Sequence, residues 1–174
     1  MQAMVLTIIG KDEPGLVDAI AKCITDANGN WLKSSFCQLS GQFAGFIEVM
    51  LERDKHDELV SACQNLANLH ITLLPSSELN NSDSDQSSAE LPVVNMTVTA
   101  NDRRGIVSDI ASALKRFNIN IIEMSTRCES APNWGSLLFT AKLSFSLVAD
   151  VDLDDIKAAV EGITDDLMVE IEGE

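Results

Sequence analysis

The chain has 174 residues, 45% of them apolar, and carries 12 Lys plus Arg against 27 Asp plus Glu, a formal charge of −15. That length holds one medium domain or two small ones and excludes a large multidomain enzyme. A polyanion such as DNA would be repelled rather than gathered, so direct nucleic-acid binding is disfavoured.

The first segment, Met4 to Ile9, is short, β-branched and half alternating, which predicts a strand buried on at least one face. From Gly15 the period becomes helical, with Leu16, Val17, Ile20, Ala21 and Ile24 on one stripe, and Asn28-Gly29 ends the helix, the glycine suiting a left-handed stop. Asn30 to Leu39 and Phe43 to Arg53, separated by Ser40-Gly41-Gln42, read as a hairpin whose Trp31, Phe43 and Phe46 are expected in the core. Asp57 to Ala67, with Leu59, Val60, Cys63 and Leu66, predicts a second helix, and Leu69 to Leu74 a closing strand.

Residues 76–92 hold six Ser, four acidic groups and no base, too little apolar surface to order themselves. They read as a flexible linker of roughly 22 Å mean span. Beyond it the same order returns in Val93 to Ala100, Ile106 to Leu114, Asn120 to Cys128, Trp134 to Val148, Leu153 to Ile163 and Leu167 to Ile171. A shift of 90 positions pairs Asp12 with Asp102, Gly15 with Gly105, Val17 with Val107, Asn28 with Asn118 and Asn30 with Asn120. Apolar pairs such as Leu16/Ile106, Ile20/Ile110 and Leu32/Ile122 keep that register, the mark of an internal repeat.

Each copy therefore reads strand, helix, strand, strand, helix, strand, an α+β, ferredoxin-like βαββαβ unit, with a first domain at 1–75 and a second at 93–174. Both helices fall on one sheet face, leaving the other bare, so a companion surface and a homodimer are expected.

The longest uncharged run, Leu59 to Ser77, contains Ser61, Gln64, Asn65, Asn68, His70 and Pro75, too polar for a membrane span. The start, Met1-Gln2-Ala3-Met4-Val5-Leu6, lacks the basic-then-apolar order of a secretory leader, and the expected location is the cytoplasm. Cys23, Cys37, Cys63 and Cys128 have no zinc-site or thioredoxin spacing and read as reduced thiols. Asp150-Val151-Asp152-Leu153-Asp154 imitates an EF-hand but has Asp155 where the loop needs Gly, so no metal is expected. His56 and His70 stand alone, and no nucleophile, base and orienter set is found.

The first loop, Gly10-Lys11-Asp12-Glu13-Pro14-Gly15, lacks the cysteine pair of a copper carrier and puts two anions where a phosphate would sit. A helix starting at Pro14 or Gly15 presents free N–H groups that suit a carboxylate. Asp12 or Asn30 could then accept the ammonium of an amino acid, or Asp12 and Asp102 could simply cap their helices.

The run Asp12-Glu13-Pro14-Gly15-Leu16-Val17 after an apolar strand, followed by a helix and Asn28-Gly29-Asn30-Trp31, resembles the ACT domain, an amino-acid-sensing regulatory module. The resemblance implies a non-catalytic repressor of the glycine cleavage operon, without cofactor, that senses a small amino acid, glycine first, and contacts a LysR-type transcriptional activator rather than DNA. It implies ligand contacts at Asp12, Gly15, Leu16, Val17 and Asn30, and at Asp102, Gly105, Ile106, Val107, Asn118 and Asn120. An amino-acid-sensing regulatory subunit of a metabolic enzyme on another chain is the alternative. Arg103-Arg104 in place of Glu13-Pro14 is expected to loosen the second loop, with both arginines solvated.

Overall fold

Alternation in the opening segment becomes a ten-residue strand, β1 (Gln2–Lys11), whose Met4, Leu6 and Ile8 turn inward and are buried. The computed structural model describes residues 1–66, 69–76, 92–130, 137–147 and 151–172. It divides the chain into two units, Met1–Gln86 and Ser87–Glu174. The first unit continues with α1 (Leu16–Asp26), β2 (Asn30–Leu39), β3 (Gln42–Leu51), a 3-10 turn at Arg53–Lys55, α2 (His56–Gln64) and β4 (His70–Pro75). The second repeats the order as β5 (Val93–Asn101), α3 (Ile106–Lys115), β6 (Ile121–Ser130), β7 (Leu137–Ser146), α4 (Leu153–Glu161) and β8 (Met168–Glu172).

Both sheets are antiparallel, ordered β2-β3-β1-β4 and β6-β7-β5-β8. This is the α+β, βαββαβ arrangement expected from the repeat. Helix stripes close one face of each sheet: Leu16, Ile20 and Ile24 of α1 with Leu59 and Cys63 of α2 cover Met4, Leu6, Ile47 and Val49. Ile106, Ile110 and Leu114 of α3 with Ile156 and Val160 of α4 do the same over Met96, Val98, Leu143 and Phe145. Each of these large aliphatic side chains contributes about 1.5–3 kcal/mol by leaving water. Cys63 is fully buried and free; burial first, then the neighbouring Cys23, pushes its thiol up to about 12, so it packs as a small protonated hydrophobe. Among the described residues no helix is long and apolar enough to cross a membrane.

The helix stop differs in detail from the sequence reading. Asn28 (φ 56°) and its repeat Asn118 (φ 56°) take the left-handed conformation, not Gly29. Asparagine tolerates that region because its short amide bonds locally. Gly29 is instead needed for space, since a Cβ there would press on Ile24. The hairpin turn is read correctly, with Ser40 (φ 51°) and Gly41 (φ 78°) forming the two-residue link that matches strand twist. Phe46 departs most: it lies on the face of β3 opposite buried Phe43 and Ile47 and is exposed, because residues one apart on a strand point to opposite sides. Trp134 and Asp150 lie outside the described residues.

Edge strand β2 is held to the first core by aromatic rings. Phe36 stacks on Phe43 at 5.0 Å and meets Trp31 at 6.0 Å, both from β2 or its neighbour β3. The Phe36 ring passes over Gly45, where an added Cβ would collide with that ring and with the Ser35 carbonyl. Gly45→Ala is expected to cost about 1–3 kcal/mol through this overpacking. A thermal melt should show a drop of several degrees, with Ala44→Gly on the other sheet face as the comparison.

Candidate functional site

The joint between the first strand and first helix of each unit is built by one left-handed glycine. Gly15 (φ 85°, ψ 1°) and Gly105 (φ 86°, ψ −3°) turn the chain, and space around both Cα atoms is open. The Leu16 N–H then donates to the Glu13 carbonyl at 3.3 Å and the Ala19 N–H to the Gly15 carbonyl at 3.0 Å. In the second unit Ile106 donates to Arg103 at 3.4 Å and Asp109 to Gly105 at 3.0 Å. The two loops thus share one backbone although Glu13-Pro14 is replaced by Arg103-Arg104. The turn conformation is set by glycine and these bonds rather than by proline.

Helix starts leave N–H groups unpaired. Among the described residues no backbone carbonyl accepts from Val17 or Asp18, nor from Val107 or Ser108. Leu16 and Ile106 contribute only indirectly, their side chains being core and their N–H groups already bonded. Val17 and Val107 are exposed beside the opening.

Asp12 does not cap α1. Neither α1 nor α3 has a side-chain cap, and Gly15 and Gly105 occupy the capping positions. The Asp12 carboxylate instead accepts from the Gln38 amide, Nε2 to Oδ2, at 2.5 Å, while its N–H donates to the Gly41 carbonyl at 3.0 Å. Both bonds tie the loop to the β2–β3 hairpin. In the second unit the Asp102 N–H donates to Leu137 at 2.8 Å, and Cys128 lies beside the Asp102 carboxylate. Partial desolvation first, then the hydrogen bond to Asp102, raises that thiol above its ordinary value. Gln38 and Cys128 are 90 residues apart, so the repeat that paired Asp12 with Asp102 also held the clue to their contacts.

The loops differ in charge. Lys11 Nζ stands 3.7 Å from Glu13 Oε1 in the first. In the second, Arg103 is half-buried rather than solvated, with Nη2 2.7 Å from Asp109 Oδ2 over the first turn of α3. Arg104 is exposed as expected.

Asn30 does not join Asp12 within the unit. Asn30 pairs with Met50, which pairs with Ala3, nine residues back along β1, so the two ends are roughly 30 Å apart at strand rise. Asn120 lies just before β6, again at the far end of its sheet, and Asn118 serves as the helix stop. What comes together is Asp12, Gly15, Leu16 and Val17 in one unit, and Asp102, Gly105, Ile106 and Val107 in the other.

The second loop has an additional anchor. Asp166, ahead of β8, accepts from the Asn101 N–H at 2.9 Å and from the Asn101 amide at 2.7 Å, and these donors bring its carboxyl down to about 2. A carboxyl lowered by folding adds stability above its unfolded value, and that stability disappears as pH falls through the folded value. The contribution of Asp166 is expected to be lost between about pH 4 and about pH 2. Thermal melts of the Asp166→Asn variant should vary less over this range than those of the parent.

Residues 2–72 match the family model of the ACT domain. The structure of an unknown protein from Galdieria sulphuraria is similar over 98% of this chain and 97% of its own, with a TM-score of 0.81 at 22% identity. A proposed glycine cleavage system transcriptional repressor is similar over 98% of this chain and 96% of its own, with a TM-score of 0.68 at 16% identity. Identities this low carry the fold alone. No curated protein sequence matches the chain. The chain is a tandem of two βαββαβ units with the same strand order, the first of which matches the ACT domain at residues 2–72.

Proposed function

We propose that this chain is a non-catalytic transcriptional regulator that senses a small amino acid, glycine first, and acts through a protein partner rather than on DNA. The glycine cleavage operon is the target it would repress. The observation that carries the reading is the first helix start, where unpaired N–H groups and an exchangeable carboxylate lie in one open loop. A ligand carboxylate would take the Val17 and Asp18 N–H groups, favoured by the positive end of the α1 dipole. Its ammonium would take Asp12 in place of the Gln38 amide, exchanging a neutral donor for a charged one.

Gln38 sits one residue before the end of β2, and Asp12 is bonded to Gly41 in the turn. Exchange at Asp12 would therefore be felt first in the hairpin, which gives a route from ligand to surface. Binding can shift a partner's affinity only as far as the ligand distinguishes two arrangements of that surface. The second loop is less ready: Arg103 is committed to Asp109 and Cys128 to Asp102. The charge of −15 supports a protein partner over DNA, and the family resemblance suggests a LysR-type activator.

Calorimetric titration of the full chain with the twenty amino acids tests the sensing step. Glycine is expected to give heat that weakens about 10–150-fold in Asp12→Ala, the loss of one charged hydrogen bond. Gln38→Ala should tighten binding by removing the competitor, and Asp102→Ala should leave the first site intact. Silence across the panel overturns the sensing role. Recovery of a transcription factor in a pull-down supports the regulator, whereas recovery of a metabolic enzyme replaces it with an enzyme's sensing subunit.

A further inference from the structure

Strand register places an ordered set of polar side chains in the middle of the open sheet face of the second unit. Glu123 stands opposite Ser144, Ser144 opposite Asn95, and Asn95 opposite Glu172, one row across all four strands. In the next row Lys142 stands between Ser125 and Thr97. Exposed Met168 and Val93 mark the rows beyond on either side, so the polar character belongs to the centre of the face.

Short side chains alternate with long ones here. Ser125, Ser144 and Asn95 lie low between Glu123, Lys142 and Glu172, and the difference leaves a hollow of about 250 Å³. Its floor is tied together: the Ser144 hydroxyl donates to Asn95 Oδ1 at 2.7 Å, and Asn95 Nδ2 donates to Glu172 Oε2 at 3.3 Å. Register also keeps opposite charges apart, since no carboxylate stands directly across from Lys142. Among the described residues Lys142 closes no ion pair, although Glu123 is its diagonal neighbour on the adjoining strand. The fold does not impose this pattern. At the matched positions of the first unit Lys33 and Glu48 do close, at 3.6 Å, and Val5, Phe46 and Leu74 take the places of Asn95, Lys142 and Glu172.

Across the strands the charges run negative at Glu123, positive at Lys142, neutral at Asn95 and negative at Glu172. The complement is a cation, an anion beside it, an uncharged spacer and a second cation, which is the order of groups in a basic α-amino acid. Glu123 and Glu172 lie three strand spacings apart, about 14 Å between backbones, a gap that two glutamate side chains and one extended lysine span together. Glu170, opposite Thr97, adds a third carboxylate around one ammonium, so a net cation is favoured over a neutral zwitterion such as glycine. We propose that this hollow is a further small-molecule site, for a basic amino acid whose α-ammonium meets Glu123, whose carboxylate meets Lys142 and whose terminal cation meets Glu172.

The site is separate from the strand-to-helix loop. Asn95 is seven residues from Asp102 along the chain, roughly 23 Å at strand rise. Its occupancy is therefore independent of whether an amino acid binds either loop. The contacts are ion pairs open to solvent, so half-saturation on the order of 1 mM is expected.

Titration of the full chain with L-lysine, followed by the backbone amide signals in NMR, tests it. The signals of Asn95, Ser125 and Ser144 are expected to move and saturate. Norleucine, which lacks the terminal ammonium, and 1,5-diaminopentane, which lacks the carboxylate, should each bind about tenfold more weakly. Glu172→Gln should remove the preference for lysine over norleucine, and Lys142→Ala the preference for lysine over 1,5-diaminopentane, while Asp12→Ala leaves lysine binding unchanged. Dispersed amide spectra report that each variant is folded. Signals that stay still at about 50 mM lysine overturn the proposal. So do equal affinities for lysine and 1,5-diaminopentane in the parent, which would be attraction to charge alone, and lysine shifts confined to residues 12–18.

Discussion

Two helices can shield only one side of a four-stranded sheet, and that one-sidedness governs the rest of this molecule. It sets the alternation along every strand, restricts each helix to a single apolar stripe, and leaves one broad surface per unit to be used or neutralised. At four matched positions of that surface the first copy has Val5, Ile9, Phe46 and Leu74 where the second has Asn95, Thr99, Lys142 and Glu172. Duplication kept the interior chemistry and released the exterior.

The strand-to-helix joint is the second fixed feature. Its conformation survives replacement of an acidic residue and a proline by two arginines, since a left-handed glycine and two backbone hydrogen bonds define it. The side chains that converge on it are free to vary, and they do. An amide faces the aspartate in one copy and a thiol in the other. A common backbone with divergent lining makes the two loops chemically distinct.

Much of this was legible in the residues. The 90-residue register, the β-branched runs and the helical stripes give the elements to within a few positions, because period reports directly on which face is buried. The misses have physical causes. Residue type alone places Phe46 in the core, whereas its strand parity opposite Phe43 sends it outward. The motif groups Asn30 with Asp12, but an antiparallel layout carries it to the far end of the sheet within the unit. Asp12 as a cap is the usual role of the residue, and the Gln38 contact that displaces it depends on the position of a third strand. Contacts between distant segments are what one-dimensional periodicity does not encode.

Each outer hairpin strand is interrupted at the same place, between Trp31 and Lys33 and between Ile121 and Glu123, where one residue is left out of the ladder. An unbroken ten-residue border would offer a continuous row of backbone donors and acceptors to any extended peptide. The interruption shortens that row and increases its local twist. With two sheets and therefore four borders, a chain without such breaks could grow into open-ended polymers. The repeated irregularity shortens that row on one border of each sheet, while β4 and β8 limit the other border by being only six and five residues long.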